Sequence, residues 1–203
     1  MSGSIKFGVD GRASMVSAVL RQSEGSAILE FAIVLPLLVV FIAGIYDFGG
    51  AFNQKQKIEQ AAQEGAIVAG AQPTSDLLPV AGSTGNPDSL VPVVAAVFNS
   101  LQQSGVLTGG CTLPATALGQ SPALTWAYKI TGCSSLNPND NLIITINRGF
   151  VSTTSTTQLD VVGTVVTVTY PYDWRFYSVI QLILPGANTT TSISESSTVH
   201  NQM

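Results

Sequence analysis

From Ser26 to Tyr46 the chain reads Ser-Ala-Ile-Leu-Glu-Phe-Ala-Ile-Val-Leu-Pro-Leu-Leu-Val-Val-Phe-Ile-Ala-Gly-Ile-Tyr, with Glu30 as its one charge. No other stretch limits the fold as much. Wound into an α-helix, it covers roughly 30 Å, the thickness of a bilayer's hydrocarbon core. The wholly uncharged part, Phe31 to Tyr46, is shorter, and a buried core helix is the alternative to a membrane span. In a span, Tyr46, Phe48 and Phe52 form an aromatic belt at the far interface. Lys6, Arg12 and Arg21 precede the run, while Lys55 and Lys57 follow it closely. That asymmetry favours a single pass with the N-terminus in the cytoplasm.

The rest of the chain looks like an exterior domain. Of 203 residues, 45% are hydrophobic and only 10% charged, against about 25% charged in an ordinary soluble domain. Ser, Thr, Gly, Asn and Gln replace the missing charge, giving a polar but uncharged surface rather than disorder. The net charge is −4, and the basic residues beyond Lys57 are only Lys129, Arg148 and Arg175. No phosphate-binding patch can be built from them, so nucleic acid is excluded as a partner.

Past the apolar run the helical pattern continues. Phe48, Ala51, Phe52, Ile58, Ala62, Gly65, Ala66 and Ala69 recur at three- and four-residue steps. Most of this stripe is small, which lets another backbone or a sheet approach closely. Gln72-Pro73 ends the pattern, because a residue before proline is pushed out of helical geometry. One long helix over Ser26–Ala71 follows, with residues 26–46 in the membrane, an exterior extension over 47–72, and the exterior domain from 73 to 203.

Gly25-Ser-Ala-Ile-Leu-Glu30-Phe31, followed at once by the apolar run, resembles the processing site of type IV prepilins and pseudopilins. With Pro36, Tyr46-Asp-Phe-Gly and Gln60-Ala-Ala-Gln-Glu-Gly-Ala66 in order, the stretch of about 22–70 is similar to the TadE-like family. Those proteins are minor pilins or pseudopilins of tight-adherence, Flp-type, pilus systems. The resemblance implies that residues 1–25 are a leader, cut by a prepilin peptidase between Gly25 and Ser26. It implies that Glu30, Phe31 and Pro36 lie in the subunit-assembly segment. It also implies a bacterial inner-membrane location, with the C-terminal domain periplasmic or in a surface pilus. The implied partners are other pilus subunits, the inner-membrane assembly platform, the peptidase and membrane lipid. Val165-Val-Thr-Val-Thr-Tyr-Pro171 and the Ser/Thr-rich end resemble the family's C-terminal pattern. The final Val199-His-Asn-Gln-Met203 departs from that pattern, and residues of about 73–160 match nothing in it.

Physical chemistry bears on two of these positions. A carboxylate inside a membrane segment costs about 2.5–3.5 kcal/mol, so an intramembrane acid is a functional candidate. Cleavage at Gly25 creates an α-amino group that is protonated at neutral pH, and the resemblance implies that Glu30 pairs with such an ammonium on a neighbouring subunit. The alternative places Glu30 at the headgroup boundary, where its cost is small. Pro36 removes one backbone donor and frees the Ala32 carbonyl, so a bend is expected whether or not it has a role.

In the exterior domain, Asp88 to Ser104 has the pattern of a second helix, capped by Asp88 or Ser89, with Pro92 in its first turn and Gly105 as its stop. The preceding Gln72–Pro87 is a surface loop. Beyond residue 120 the period becomes two. Leu124, Trp126, Tyr128 and Ile130 form one apolar face; Leu142, Ile144 and Ile146 a second; Val162, Thr164, Val166, Val168 and Tyr170 a third. A polar strand over about Thr189–Val199 is an edge, and Ser152–Thr157 a loop. The expected class is α+β, a pilin-like antiparallel sheet packed on helices. Trp174–Leu184 is apolar nearly all round, a buried helix or a patch for a partner subunit.

Cys111 and Cys133, the two cysteines, favour one disulfide outside the cytoplasm, with two free thiols as the alternative. Two cysteines and the distant His200 cannot fill a zinc site. No nucleotide loop, His-Glu-x-x-His or Gly-x-Ser-x-Gly occurs, and the acids are scattered. Asn137-Pro-Asn-Asp-Asn141 is oxygen-rich enough for calcium as an alternative but has the composition of a plain turn, and Asn188-Thr-Thr is a chance sequon. No catalytic residue, metal or cofactor is expected. Besides the pilin reading stand a membrane-tethered binding or adhesion domain with an uncleaved signal anchor, and a secreted protein cut near Ala51. The apolar run is long for the latter.

Overall fold

The computed structural model describes residues 11–77, 86–113, 117–118, 124–134, 141–153, 160–176, 186 and 190–201. Its contacts divide the chain into two units, Met1–Tyr46 and Asp47–Met203. Among the described residues, helix α1 spans Gly11–Ala71 and helix α2 spans Val91–Gln103. The strands are β1 (Thr125–Thr131), β2 (Asn141–Thr153), β3 (Asp160–Asp173) and β4 (Thr190–His200). They form one antiparallel sheet in the order β1-β2-β3-β4. The class is α+β, with a long apolar N-terminal helix.

Helix α1 starts earlier than the apolar pattern indicates. Residues 11–25 are mostly Ala, Ser, Val, Arg, Leu and Gln without proline, and helix propensity alone carries the backbone through them. Its C-terminal end falls where Pro73 requires, at Ala71. Within α1, Ser26–Ala71 is long and apolar enough to cross a membrane, and none of its most apolar window is buried.

In the second unit, α1 runs antiparallel to β3, against the stretch of the sheet from the level of Gly163 to Tyr172. Gly70 faces Val199 and His200 at the start of the β3–β4 ladder; Gly65 faces Val166; Gln54 donates to the Pro171 carbonyl oxygen at 3.2 Å; Gly50 faces the Tyr172 hydroxyl. The buried face of α1 is Ile58, Ala61, Ala62, Ala66 and Ala69. It meets Leu90, Val93, Val97 and Leu101 from the α2 region and Tyr128, Ile144, Ile146, Val166 and Val168 from the sheet. Phe48 and Phe52, expected on this stripe, are instead 61% and 63% exposed. Both rings stand at the rim of the sheet, beside Tyr172 of β3 and Ile193 of β4, and help to line an open groove there.

The cap of the second helix also differs from expectation. Neither Asp88 nor Ser89 caps it with a side chain; a 3-10 turn over Asp88–Leu90 leads into α2. Asp76, from the loop after α1, accepts the Ser89 backbone N–H at 2.8 Å. At the other end Gly105, at φ 71°, donates to the Gln102 carbonyl, and Val106 donates to that of Leu101. These two bonds make a Schellman turn, which needs a residue in left-handed geometry.

Strand alternation holds in the core, where Trp126, Tyr128 and Ile130 of β1 pair with Ile146, Ile144 and Leu142 of β2. Leu124 is not part of β1; it turns at φ 58° and accepts the Arg148 N–H. A bulge between Asn147 and Phe150 follows, and beyond it Val151 and Val162 are exposed. The extra residue there aims Arg148 inward, as bulges re-aim side chains. Arg148 is 1% exposed, and its Nη2 donates to the Gln72 carbonyl at 2.9 Å. Burial lowers its pKa, while nearby Asp76 raises it. The guanidinium thus serves the carbonyl end of α1, where a cation is favoured.

Cys111 and Cys133 form a disulfide with Cα atoms 4.7 Å apart. It closes a loop of sequence separation 22, which the chain-entropy account values at about 3 kcal/mol. Of the loop expected over Ser152–Thr157, Ser152 and Thr153 instead close β2, and the remainder, like all of Asn137–Asn141 but its last residue, lies outside the described residues. So do much of Trp174–Leu184, Gln72–Pro87 and the Asn188 sequon.

Gly65 is where α1 comes nearest its neighbours. A Cβ there would run into Val97 Cγ2 and sit 3.3 Å from Val166 Cγ1. Gly65→Val is expected to lower the unfolding free energy by about 1–3 kcal/mol, the usual range for overpacking. Denaturant unfolding of the detergent-solubilised chain measures this, and an unchanged midpoint would contradict the packing described.

Candidate functional site

The sequence-predicted site residues fall in both units. Gly25 and Ser26 lie inside α1, so the Gly25–Ser26 bond is helical. The Ser26 hydroxyl donates to Glu30 Oε1 at 3.4 Å, one turn along. Phe31 is exposed, as are Ile28, Leu29 and Ile33 around it. Pro36 sits within the helix and interrupts its donor ladder. Residues 26–40 are exposed without exception. The structure therefore gathers Ser26, Glu30, Phe31 and Pro36 on one apolar rod and places the Cys111–Cys133 bond in the other unit.

An apolar rod of this length cannot stay in water. Each exposed Leu, Ile, Val or Phe side chain forgoes roughly 1.5–3 kcal/mol of burial, and Ile28, Leu29, Phe31, Ile33, Val34, Leu35, Leu37, Leu38, Val39, Val40, Phe41, Ile42 and Ile45 are all exposed. Something apolar must cover them. A bilayer can, and so can similar helices. A long apolar N-terminal helix of this kind fits a membrane anchor.

A second arrangement, which sequence reasoning missed, lies at the start of the other unit. Asp47 follows the apolar run directly and is only 3% exposed. Its Oδ1 accepts the Arg175 backbone N–H at 3.2 Å and its Oδ2 that of Phe176 at 3.1 Å. Its own carbonyl accepts the Tyr172 hydroxyl at 3.1 Å. One residue of α1 thus holds the end of β3 and the turn after it. Gly50 makes room, since a Cβ there would sit 2.5 Å from the Tyr172 hydroxyl. The signal was present in Tyr46-Asp-Phe-Gly: a lone acid just after a membrane-length run needs a partner when it is buried. Nothing in the sequence names residues 175 and 176 as that partner.

Around this clamp the aromatics gather. Trp174 meets Phe48 edge-on at 5.7 Å and Tyr172 at 5.3 Å. Its indole N–H donates to Thr191 Oγ1 at 3.0 Å. Phe48, Ala51, Phe52, Tyr172, Trp174 and Ile193, with Lys55 and Thr191, line an apolar groove of about 300 Å³. Lys55 pairs with Glu195 of β4 at 3.4 Å, an exposed contact of little energetic weight. On the opposite flank, Asn53, Gln54, Lys57, Ser134 and Asp173 help to line a more polar cavity of about 230 Å³. Among the described residues, no three His, Cys, Asp or Glu side chains converge on one point.

The family model for TadE-like protein matches residues 25–66, the family that the sequence resembles. The match takes in Gly25, Ser26, Glu30, Phe31, Pro36 and Asp47 and reaches the Gly65 contact. No curated protein and no solved structure matches the chain.

The Asp47 clamp is testable. Asp47→Ala leaves two backbone donors without their acceptor and is expected to cost about 1.5–3 kcal/mol, the range for hydrogen bonds to a charged group. Asp47→Asn, which keeps one acceptor oxygen, should fall between that variant and the native chain. Unfolding midpoints together with amide exchange at Arg175 and Phe176 report this; native-like protection of both amides in Asp47→Ala would contradict it.

Proposed function

We propose that this chain, TadE-like over residues 25–66, is a minor pilin or pseudopilin of a tight-adherence-type pilus or secretion system. The observation that carries the reading is the match itself, laid over an exposed apolar rod that starts beside a glycine and holds one acid on its second turn. A prepilin peptidase removes residues 1–25, and the new Ser26 ammonium and Glu30 then act between neighbouring subunits. In lipid the rod rests in the bacterial inner membrane, with the N-terminus cytoplasmic and the Asp47–Met203 unit outside. In an assembly the same rod packs against the rods of other pilus subunits on an inner-membrane platform. The chain works by packing and not by catalysis.

The chemistry of Glu30 supports this reading. A carboxylate among apolar side chains is unfavourable alone and is relieved by an opposite charge. Within the chain the Ser26 hydroxyl donates to it at 3.4 Å, a long hydrogen bond that offsets little of that cost. An ammonium supplied by an adjacent subunit would offset more, and only a subunit in register supplies it at the right depth. Glu30 then selects correct packing.

A second reading, a membrane-tethered binding or adhesion domain with an uncleaved signal anchor, is favoured by one observation. Helix α1 runs from Gly11 through Gly25 without a break, as an intact anchor would.

Glu30→Gln separates the two. The pilin reading expects the variant's exterior unit to fold normally while its recovery with pilus subunits, or its processing, falls sharply. Immunoblots of membrane and sheared-surface fractions measure this, and undiminished pilus output would favour the tethered domain.

A further inference from the structure

We infer that the polar cavity between α1, the end of β3 and the segments following α2 and β1 is a binding site for one neutral sugar ring. Its whole lining belongs to the Asp47–Met203 unit, so the inference is independent of how that unit is anchored or assembled.

Helix α1 supplies one wall. Gly50, Asn53, Gln54 and Lys57 recur at steps of three and four, which puts them on one face of the helix. Gln54 donates its amide N–H to the Pro171 carbonyl. That bond fixes the side chain and leaves its amide oxygen as an acceptor. Across the cavity stands Gly105, at φ 71°, with open space where a side chain would begin. Thr108 and Ser134 bring hydroxyl groups, and the buried Tyr170 and Tyr172 bring aromatic surface.

The charges decide the class of ligand. Lys57 and Asp173 both line the cavity. Neither side chain makes an ion pair or hydrogen bond with another described residue. Arg175 adds a second cation to the lining. An anion entering here meets the Asp173 carboxylate, and a cation meets Lys57. Like charges brought together cost several kcal/mol, so a ligand of either net charge is disfavoured. A neutral ligand must then donate to Asp173 and accept from Lys57. Sugar hydroxyls do both, since each can donate one hydrogen bond and accept two. The remaining hydroxyls match the amides of Asn53 and Gln54.

A zwitterion also meets both signs. Yet uncharged polar side chains outnumber the charged ones in this lining, and a zwitterion's two charged groups leave most of them unused. Size agrees with a sugar. The cavity holds about 230 Å³, less than the roughly 300–1,000 Å³ of sites that take drug-sized molecules, which suits a single ring. The tyrosines give the C–H faces of that ring an apolar surface to rest on.

Saturation-transfer NMR tests this on the full chain, held in a detergent without a sugar head. Glucose, galactose, mannose and N-acetylglucosamine are offered one at a time, with glycine and inorganic phosphate as charged probes. The expected result is transfer to the ring protons of at least one sugar and to neither charged probe. Asp173→Asn and Lys57→Met should each weaken that sugar's binding roughly tenfold or more, the loss of one hydrogen bond to a charged group. Their melting temperatures should stay at the native value; where one falls, Asn53→Ala, at an exposed position, takes its place. Transfer to none of the four sugars overturns the inference. Binding that all these variants leave unchanged puts the sugar elsewhere and overturns it too. Transfer to glycine or a shift of the phosphate resonance, with no sugar bound, gives the cavity to a charged ligand.

Discussion

Helix α1 can lie against β3 from Gly70 to Asp47 only because side chains are missing or small where the two meet. Gly65 and Gly70 bring backbone to Val97, Val166 and Val199, and Ala62, Ala66 and Ala69 keep the face shallow between them. The rest of the exterior unit follows from that approach. α2 packs on the same small-residue face, Arg148 reaches the carbonyl end of α1, and Asp47 at the other end fastens the last turn of the β3 segment. A larger residue at the centre would separate helix from sheet and loosen both ends together.

The same helix meets two kinds of surroundings, and its composition changes where they change. From Ile28 to Tyr46 most positions are large and apolar, which suits lipid or a bundle of like helices. From Asp47 onward, alanine and glycine face the protein while Gln, Lys and Glu face water. Lipid offers no gain for close approach to a specific surface, so bulk is free to vary there. A sheet rewards fit, so small side chains appear on the packed face.

Much of this was legible in the sequence. The end of α1 at Ala71, the strands of the sheet and the edge position of β4 follow from proline geometry and from alternation at Trp126–Ile130, Leu142–Ile146 and Thr164–Tyr170. These signals are local, and local rules decide them. What escaped detection depends on residues far apart. Arg148 resembles any polar strand residue until a bulge turns it inward toward Gln72. Asp76 caps a helix that it does not adjoin, which no pattern around Asp88 reveals. Phe48 and Phe52 fit the helical stripe by spacing, yet they stand at the rim of the sheet and stay largely exposed. Asp47 was visible as a lone acid, whereas its partners at Arg175 and Phe176 were not.

The proposed assembly role depends on a new N-terminus beside Glu30. Without cleavage at Gly25 no ammonium forms at that depth, and the acid keeps only the Ser26 hydroxyl. Mass spectrometry of the chain purified from its native membrane reads this directly. Processing as proposed gives a mature protein beginning at Ser26. A chain that retains Met1, or one that begins near Ala51, would contradict it.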